Sequence, residues 1–443
     1  MLSDARTEPF DDLDRLSPEA LDRWWTRKLK RAVRLAFDEL PFYRERFAAA
    51  GFDPTRFRTL DDLRSIPISR KEDLLTVTRN SKSKFDAVKS YAAAPDARMT
   101  VSLSSGTSGT TFVMHTRRWR KLQGYSSSRA HWWAGLREGT PLVMSAPAWH
   151  AYASIQPSIA MHFSNPCVVV SGTFLPRFAD RIVDAMLAFR PRFLTMFLPM
   201  VFSILATARR DGISGDQLFA GVETLVVTGA PITPGMRSHL QDLTRVKRVA
   251  EIAGSSENLL AVDCAHAAGL HVVPDTCYVE VLDRKSGRPV ADGNRGAVVH
   301  SSVIPAGSLY LRYDGGDAGV IDRSLCPCGL PSPRIKLLGR WEDCFNVGDN
   351  TLLPYDVQFA LETEVPELRG IAMVITREGL ADGMLRLLLA EPSGEAATLL
   401  DQARARLSRR FGVPVEVSAV RDLPLRFKGV PPILSEREAA SAA

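Results

Sequence analysis

From Ser104 to Thr111 every residue is a glycine or carries a hydroxyl: Ser104, Ser105, Gly106, Thr107, Ser108, Gly109, Thr110 and Thr111. Glycine-rich backbone offers N–H groups to an anion, and side-chain hydroxyls add donors, so a chain of phosphates suits such a loop. Taken alone the stretch also reads as a plain hairpin turn, and no P-loop lysine follows it. A second set is Cys264, His271, Cys326 and Cys328, with His266 as a competing ligand. Cys-x6-His on one segment and Cys-x-Cys on another can close a tetrahedral Cys3His zinc site, structural because no position stays open. The same thiols can also simply pack. Four polar clusters follow apolar runs: Gly229-Ala230-Pro231, Gly254-Ser255-Ser256-Glu257, Gly315-Gly316-Asp317, and Gly339-Arg340 with Glu342 and Asp343. Each alone is an ordinary surface turn or solvated carboxylate.

The elements that must carry these residues are legible from periodicity. Pro141–Pro147, Cys167–Gly172, Arg192–Phe197, Thr224–Ala230 and Arg248–Gly254 are short Val-, Leu- and Phe-rich runs bounded by Gly or Pro, the mark of buried strands. Helical patterns such as Ala179–Phe189 and Pro234–Leu243 lie between them. That alternation predicts an α/β fold with a parallel sheet covered by helices on both faces. Ligands collect at the carboxyl ends of such strands. Met99–Leu103 and Phe112–Thr116 read as strands holding the hydroxyl loop between them. From Gly269 to Asp322 the chain turns β-rich, and beyond Gly339 a compact α+β segment follows, about a small domain in length.

Composition excludes several classes. The 443 residues include 56 Lys and Arg against 50 Asp and Glu, a net +6 spread among mixed signs. The densest basic run, Arg23 to Arg34, shares a helix with Leu21, Trp25, Leu29, Ala32 and Ala36 and reads as its solvated face. Nucleic acid binding is not indicated. The longest apolar stretch, Phe193 to Ala208, falls short of the roughly 20 residues a membrane helix needs. No export pattern opens the sequence, and six cysteines suit a reducing cytoplasm.

The order of the clusters resembles the motif series of the adenylate-forming enzymes, and within them the phenylacetate–CoA ligase family. The stretch Ala36–Leu75, with "GLHVVPD", "RYDGGD", "CPCGLPSPRIKLLGRWED" and "LLPYDVQFALE", carries the resemblance, which runs from about Trp24 to Lys428. It implies a large N-terminal domain over residues 1–339, a small mobile α+β domain over 340–443, and a hinge at 339–343. It implies activation of an aryl or arylacetic acid by ATP as acyl-AMP, then transfer to CoA. Ser104 to Thr110 would hold phosphates, Glu257 would bind Mg2+, Gly229, Ala230, Pro231 and Ser256 would line the nucleotide, Asp317 would take the ribose, and Arg340 would assist from the hinge. Trp149, His150, Tyr152 and Gly254 would face a planar acid, and Lys428 would stabilise the adenylation transition state. Part of the family also carries the spacing of the Cys3His set. The sequence departs from the family at four places: Thr110-Thr111 replaces Lys-Pro, Ala253 replaces a Tyr, Lys428 precedes Gly429 rather than following a glycine, and Val347-Gly-Asp-Asn replaces Arg-Gly-x-Asn. These differences leave two other readings open. One is adenylation of an acid or nitrite-like oxyacid with transfer to an amine or carrier-protein thiol. The other is a nucleotide-binding pseudoenzyme. The expected partners are a small acid and CoA or another acceptor, with no nucleic acid, no membrane, and a homodimer left open.

Overall fold

A computed structural model describes residues 6–93, 99–103, 112–147, 150–171, 176–304, 306–390, 396–420, 423 and 432–441. Helices used below are α1 (Pro18–Glu39), α2 (Lys71–Asn80), α3 (Arg117–Trp133), α4 (Ala151–His162), α5 (Pro176–Phe189), α6 (Leu198–Arg210), α7 (Pro234–Thr244), α8 (Pro354–Glu364) and α9 (Ala396–Phe411). Their starts follow local chemistry. Ser17 caps α1 by accepting from the Ala20 N–H at 3.2 Å, and Pro18 supplies a first helical residue that needs no N–H partner. Thr233 and Pro234 open α7 in the same way. As expected, α1 buries Leu21, Trp25, Leu29, Ala32 and Ala36 and leaves most of its arginines exposed.

One twelve-stranded sheet dominates: β1 (Ser69–Arg70), β2 (Leu142–Ala146), β3 (Cys167–Ser171), β4 (Phe193–Phe197), β5 (Thr224–Thr228), β6 (Arg248–Gly254), β7 (Leu259–Asp263), β8 (Leu270–Val272), β9 (Cys277–Leu282), β10 (Gly296–Ser302), β11 (Tyr313–Asp322) and β12 (Arg334–Arg340). Their spatial order is β9-β10-β11-β12-β8-β7-β6-β5-β4-β2-β3, with β1 alongside β11. Strands β2 to β6 are parallel, and from β6 through β9 the pairing along this order is antiparallel. The parallel and β-rich sections are thus one surface that changes character at β6.

Side-chain alternation sorts the parallel strands onto two helical layers. Val143, Leu194, Met196, Leu225, Val227 and Val249 pack with α5, α6 and α7. Leu142, Met144, Phe193, Val226, Ala250 and Ile252 pack with α3 and α4. The expected coverage of both faces is therefore observed. Arg129 of α3 is 1% exposed and is gripped by Asp11, Asp14 and Asp275, which fixes α3 against the N-terminal segment and the chain between β8 and β9. A buried arginine is tolerated only with such partners.

Beyond β12 the chain passes through a short turn, Trp341–Asp343. It then forms β13 (Met373–Thr376), β14 (Leu385–Ala390), β15 (Val415–Val420) and β16 (Ile433–Leu434), a four-stranded sheet in the order β15-β14-β13-β16. Val357, Leu361, Ile375, Leu387, Leu407 and Val415 join in one cluster there, so this segment has a core of its own. Among the described residues no helix is long and apolar enough to cross a membrane.

Glu251 on β6 points to the α7 side, beside Asp263 of β7 and near Arg237 and Lys336. Complete burial, with the Asp263 carboxylate adding to it, pushes the Glu251 carboxyl from 4.5 up to about 8, against the pull of Arg237. The unfolded carboxyl gives up its proton near the ordinary value, whereas the folded one holds it. Between about pH 5 and 8 folding therefore takes up a proton, and each rise in pH costs stability. Glu251→Gln, which keeps the shape of the protonated acid, should flatten this decline by on the order of 3 kcal/mol over that range. Denaturant unfolding of both proteins at pH 5.5 and pH 8.5 checks it; parallel pH profiles would refute the buried proton.

Candidate active site

The hydroxyl-rich stretch hangs between antiparallel arms, Met99–Leu103 and Phe112–Thr116, in register from Met99 opposite Thr116 to Leu103 opposite Phe112. Ser104 to Thr111 themselves lie outside the described residues, as do Trp149 and Lys428. One arm is tied to its partner by Ser102 Oγ and His115 Nε2 at 2.6 Å. Burial holds the His115 imidazole neutral, down at about 4, with Arg120 and His150 adding to the effect. Its ring lies 4.1 Å from that of Trp119, the first large side chain of α3. The arms are thereby joined to a wall of the cavity described below.

The turn from β6 to β7 brings Glu257 to the site. Gly254 pairs with Leu259, and between them the Ser255 N–H donates to the Asn258 carbonyl at 2.9 Å. Ser255 Oγ accepts from the backbone N–H groups of Glu257 (3.2 Å) and Asn258 (3.4 Å). The Asn258 side-chain amide donates to His300 Nδ1 at 2.9 Å and to Ser302 Oγ at 3.0 Å, tying the turn to β10. Glu257 is buried and lies within electrostatic reach of Arg340, Lys71, Tyr91, Tyr310 and Tyr313.

Lys71, which motif reasoning did not single out, also stands at this site. Strand β1 runs parallel to β11, with Ser69 opposite Tyr313 and Arg70 opposite Asp314, so the first residue of α2 is set beside the site. Burial pushes the Lys71 ammonium below its ordinary value and Arg340 adds to this, while Glu257 and Glu342 oppose it. A buried lysine facing a carboxylate and an arginine makes a strong anion site once a polyanion arrives. The available signal was its place in "SRKEDLL", within the stretch that carries the family resemblance.

Asp317 stands inside β11 rather than in a loop; the Gly315-Gly316 pair does not end the strand. It lies opposite Arg340 of β12, and Arg340 Nη1 donates to its carboxylate at 3.2 Å. The ribose and hinge candidates are thus an ion pair across two strands. Glu342 is a second, longer partner of Arg340, at 3.7 Å. Gly229, Ala230 and Pro231 leave β5 at its carboxyl end, and Gly229 has φ +91°. A Cβ there would fall 2.4 Å from the Phe197 ring.

Beside the β6–β7 turn, on the α3/α4 side of the sheet, lies a pocket. His150, Tyr152, Gly254 and Ser256 line it, so four expected residues meet, joined by Trp119, Gln123, Thr195, Phe197, Thr228 and Ile252. His150 caps α4: its Nδ1 accepts the Tyr152 N–H at 3.2 Å, which makes it a positioning group rather than a base.

Cys264, His271, Cys326 and Cys328 also converge, all buried, with ligand atoms within 4.8 Å of one another. Cys264 and Cys326 sulfurs are 3.8 Å apart, and Cys328 Sγ is 3.2 Å from His271 Nε2. Zinc–sulfur bonds of about 2.3 Å in a tetrahedron set sulfurs about 3.8 Å apart, so the quartet fits the ion. The His271 Nδ1–H donates to the Ser332 carbonyl at 2.8 Å, fixing the tautomer that turns Nε2 to the thiols. His266 is not in the quartet.

Residues 47–305, more than half of the chain, match the family described as AMP-binding enzyme. The chain belongs to the AMP-binding enzyme family. Within it, phenylacetate-coenzyme A ligases are similar along most of its length. That of Thermus thermophilus is 28% identical over 394 residues, covering 86% of this chain and 84% of the relative. That of Escherichia coli K12 is 23% identical over 438 residues, covering 93% of each. Among solved structures, 2-hydroxyisobutyryl-CoA ligase in its postadenylation state with 2-HIB-AMP superposes with a TM-score of 0.85. It is 21% identical over 99% of this chain and 96% of that one, which establishes a shared fold.

For this AMP-binding enzyme the Gly229 turn is a sharp constraint. Gly229→Ala would combine a strained positive φ with overlap against Phe197, a loss of roughly 2–4 kcal/mol. Because Phe197 lines the cavity, the displaced ring should also raise the KM for the acid. Thermal unfolding together with acid-dependent pyrophosphate exchange tests both; wild-type values in each would mean that the turn has slack.

Proposed function

We propose that this chain joins ATP to a small aryl or arylacetic acid, releasing pyrophosphate and forming acyl-AMP, and then passes the acyl group to the thiol of CoA. The observation that carries the reading is the convergence of Glu257, Lys71 and the Asp317–Arg340 pair beside a pocket at the carboxyl ends of β4 to β6. The named relatives are coenzyme A ligases, which favours a thioester product over transfer to an amine or carrier protein.

In the first step a carboxylate oxygen bonds to the α-phosphorus as the bond to pyrophosphate breaks. The protein's share is positioning and charge. Lys71 neutralises the phosphate chain, supplying the cation that Thr110 and Thr111 do not, and Ser104 to Thr110 add donors. Glu257 fits a Mg2+ ion, being a buried carboxylate at the phosphate end of the site, and the ion supplies charge neutralisation when bound. Gly229, Ala230, Pro231 and Ser256 border the nucleotide, and Asp317, held by Arg340, faces the ribose. His150, Tyr152, Gly254 and Trp149 border the acid. Lys428 belongs to the small domain over 340–443, which turns about residues 339–343 between the two steps and brings the lysine over the acyl oxygen.

ATP–pyrophosphate exchange tests the assignment. Glu257→Gln and Lys71→Met should each lower exchange by roughly 100-fold or more with folding intact, as expected for loss of electrostatic transition-state contacts. Lys428→Ala should depress exchange far more than thioester formation from supplied acyl-AMP. Exchange at wild-type rates in the first two variants would overturn the site. Equal loss of both half-reactions in the third would remove Lys428 from the chemistry.

The Cys264, His271, Cys326 and Cys328 quartet holds a structural zinc ion in this reading. Metal analysis of purified protein should find about one zinc per chain. The doubly substituted Cys326→Ser/Cys328→Ser protein should lose both the metal and stability, because binding is coupled to folding. A wild-type protein that is fully stable without metal would show that the thiols merely pack.

A further inference from the structure

The acid cavity is not purely apolar. Trp119, Gln123 and Ser127 are four residues apart on α3 and present one helical face to it. Gln123 is 2% exposed, and its side-chain carbonyl oxygen has no hydrogen-bond partner in the structure. A buried amide oxygen left unpaired is rare in a native fold and calls for an explanation. Gln123 belongs to the cavity lining.

Tyr152 supplies the second half of the argument. His131, completely buried, is held neutral, down at about 4, by its desolvation. Its Nδ1 lies 2.7 Å from the Ser127 carbonyl, which can only accept, so Nδ1 carries the proton. Its Nε2 therefore holds a lone pair and accepts the Tyr152 hydroxyl proton at 2.7 Å. With that proton committed, the Tyr152 oxygen can only accept, and the Thr195 hydroxyl beside it is the donor at hand, which leaves the Gln123 oxygen as the acceptor without a partner. Indole, phenyl and aliphatic groups from Trp119, Phe197 and Ile252 make up much of the remaining wall.

We propose that the acid is a small aromatic one carrying a ring hydroxyl or amino group, whose O–H or N–H donates to the Gln123 carbonyl oxygen. The inference rests on the acyl-adenylating function proposed above and names its substrate class. The shared chemistry is a hydrogen-bond donor on a planar ring. A methyl group in its place would leave that acceptor buried and unpaired, and sites built to bind a polar substituent reject the analogue that lacks it.

The test is pyrophosphate exchange with matched benzoic and phenylacetic acids bearing hydroxyl, amino, methyl or no ring substituent. The wild type should favour the donor-bearing acid over its methyl counterpart by at least about 100-fold in kcat/KM. Comparing the hydroxyl and amino arms shows which donor is used. Gln123→Leu should shrink that preference by roughly 10-fold or more. Gln123→Met, close to glutamine in shape, replaces it if leucine disturbs the helix. Equal use of methyl and donor-bearing acids by the wild type would overturn the inference while leaving acid activation standing. So would an unchanged preference in the variants. Failure of every acid to support exchange would instead overturn the function on which it rests.

Discussion

Everything at the site depends on the tight turn where the sheet changes from parallel to antiparallel. On one side β6 takes its register from β5; on the other it folds straight back into β7. Only four residues, Ser255 to Asn258, make the reversal, so their backbone has little freedom. The Asn258 amide fixes them to β10, and it can do so because burial holds His300 neutral, down at about 3, leaving Nδ1 as an acceptor. Glu257 is thereby set among cations, and Gly254 and Ser256 are set in the cavity wall. At its far end β7 runs through Asp263 into Cys264, so the same hairpin also places one member of the buried Cys3His quartet.

The electrostatics follow from which strands are neighbours. A polyphosphate needs cations, and the sequence offers none in the hydroxyl-rich loop. Two arrive from elsewhere in the chain. Lys71 is delivered by β1, only two residues long, which joins the sheet through β11. Arg340 comes from the end of β12 and is oriented by Asp317 directly across from it. Burial lowers the Lys71 pKa, so desolvation weakens this cation until an anion joins Glu257 in favouring it. A phosphate chain, as in the proposed reaction, would relieve that cost.

The sequence was most informative where one physical signal dominates. Buried parallel strands show as unbroken apolar runs because both faces are covered, and β2 and β4 to β6 were read correctly for that reason; β3, read as buried too, is an edge strand whose residues are half-buried or exposed. Cysteines and a histidine at chelating spacing were equally plain, and the fold brings all four together. What escaped depended on contacts distant in sequence. Lys71 has no motif of its own; it matters because β1 lies beside Tyr313 and Asp314, some 240 residues away. Gln123 looked like any polar residue on a helix of mixed character, and only the closure of α3 over β4 and β6 buries it. Asp317 was expected in a turn because glycines precede it. Pairing with β10 and β12 overrides that local preference and keeps it in a strand.

The face of the sheet opposite the acid cavity bears on the second half of the reaction. There α8 of the C-terminal segment lies against β12, with Lys336 Nζ 5.0 Å from the Tyr355 ring and 5.1 Å from that of Phe359. Arg295 pairs with Asp356 and Arg369 with Asp242, each at 2.6 Å, and the second pair is nearly half exposed. Exposed pairs of this kind contribute about 0–1 kcal/mol each and weaken with salt. The apolar part of the contact is small: Ala318, Leu338, Leu353 and Tyr355 with a few half-buried neighbours. The core of the C-terminal segment lies inside its own sheet and helices rather than at this boundary. An interface so divided can separate without unfolding either part, and the proposed cycle requires just that of residues 340–443. The buried ties lie around the proposed nucleotide and acid sites, and the weak ones lie along the surface that would have to part.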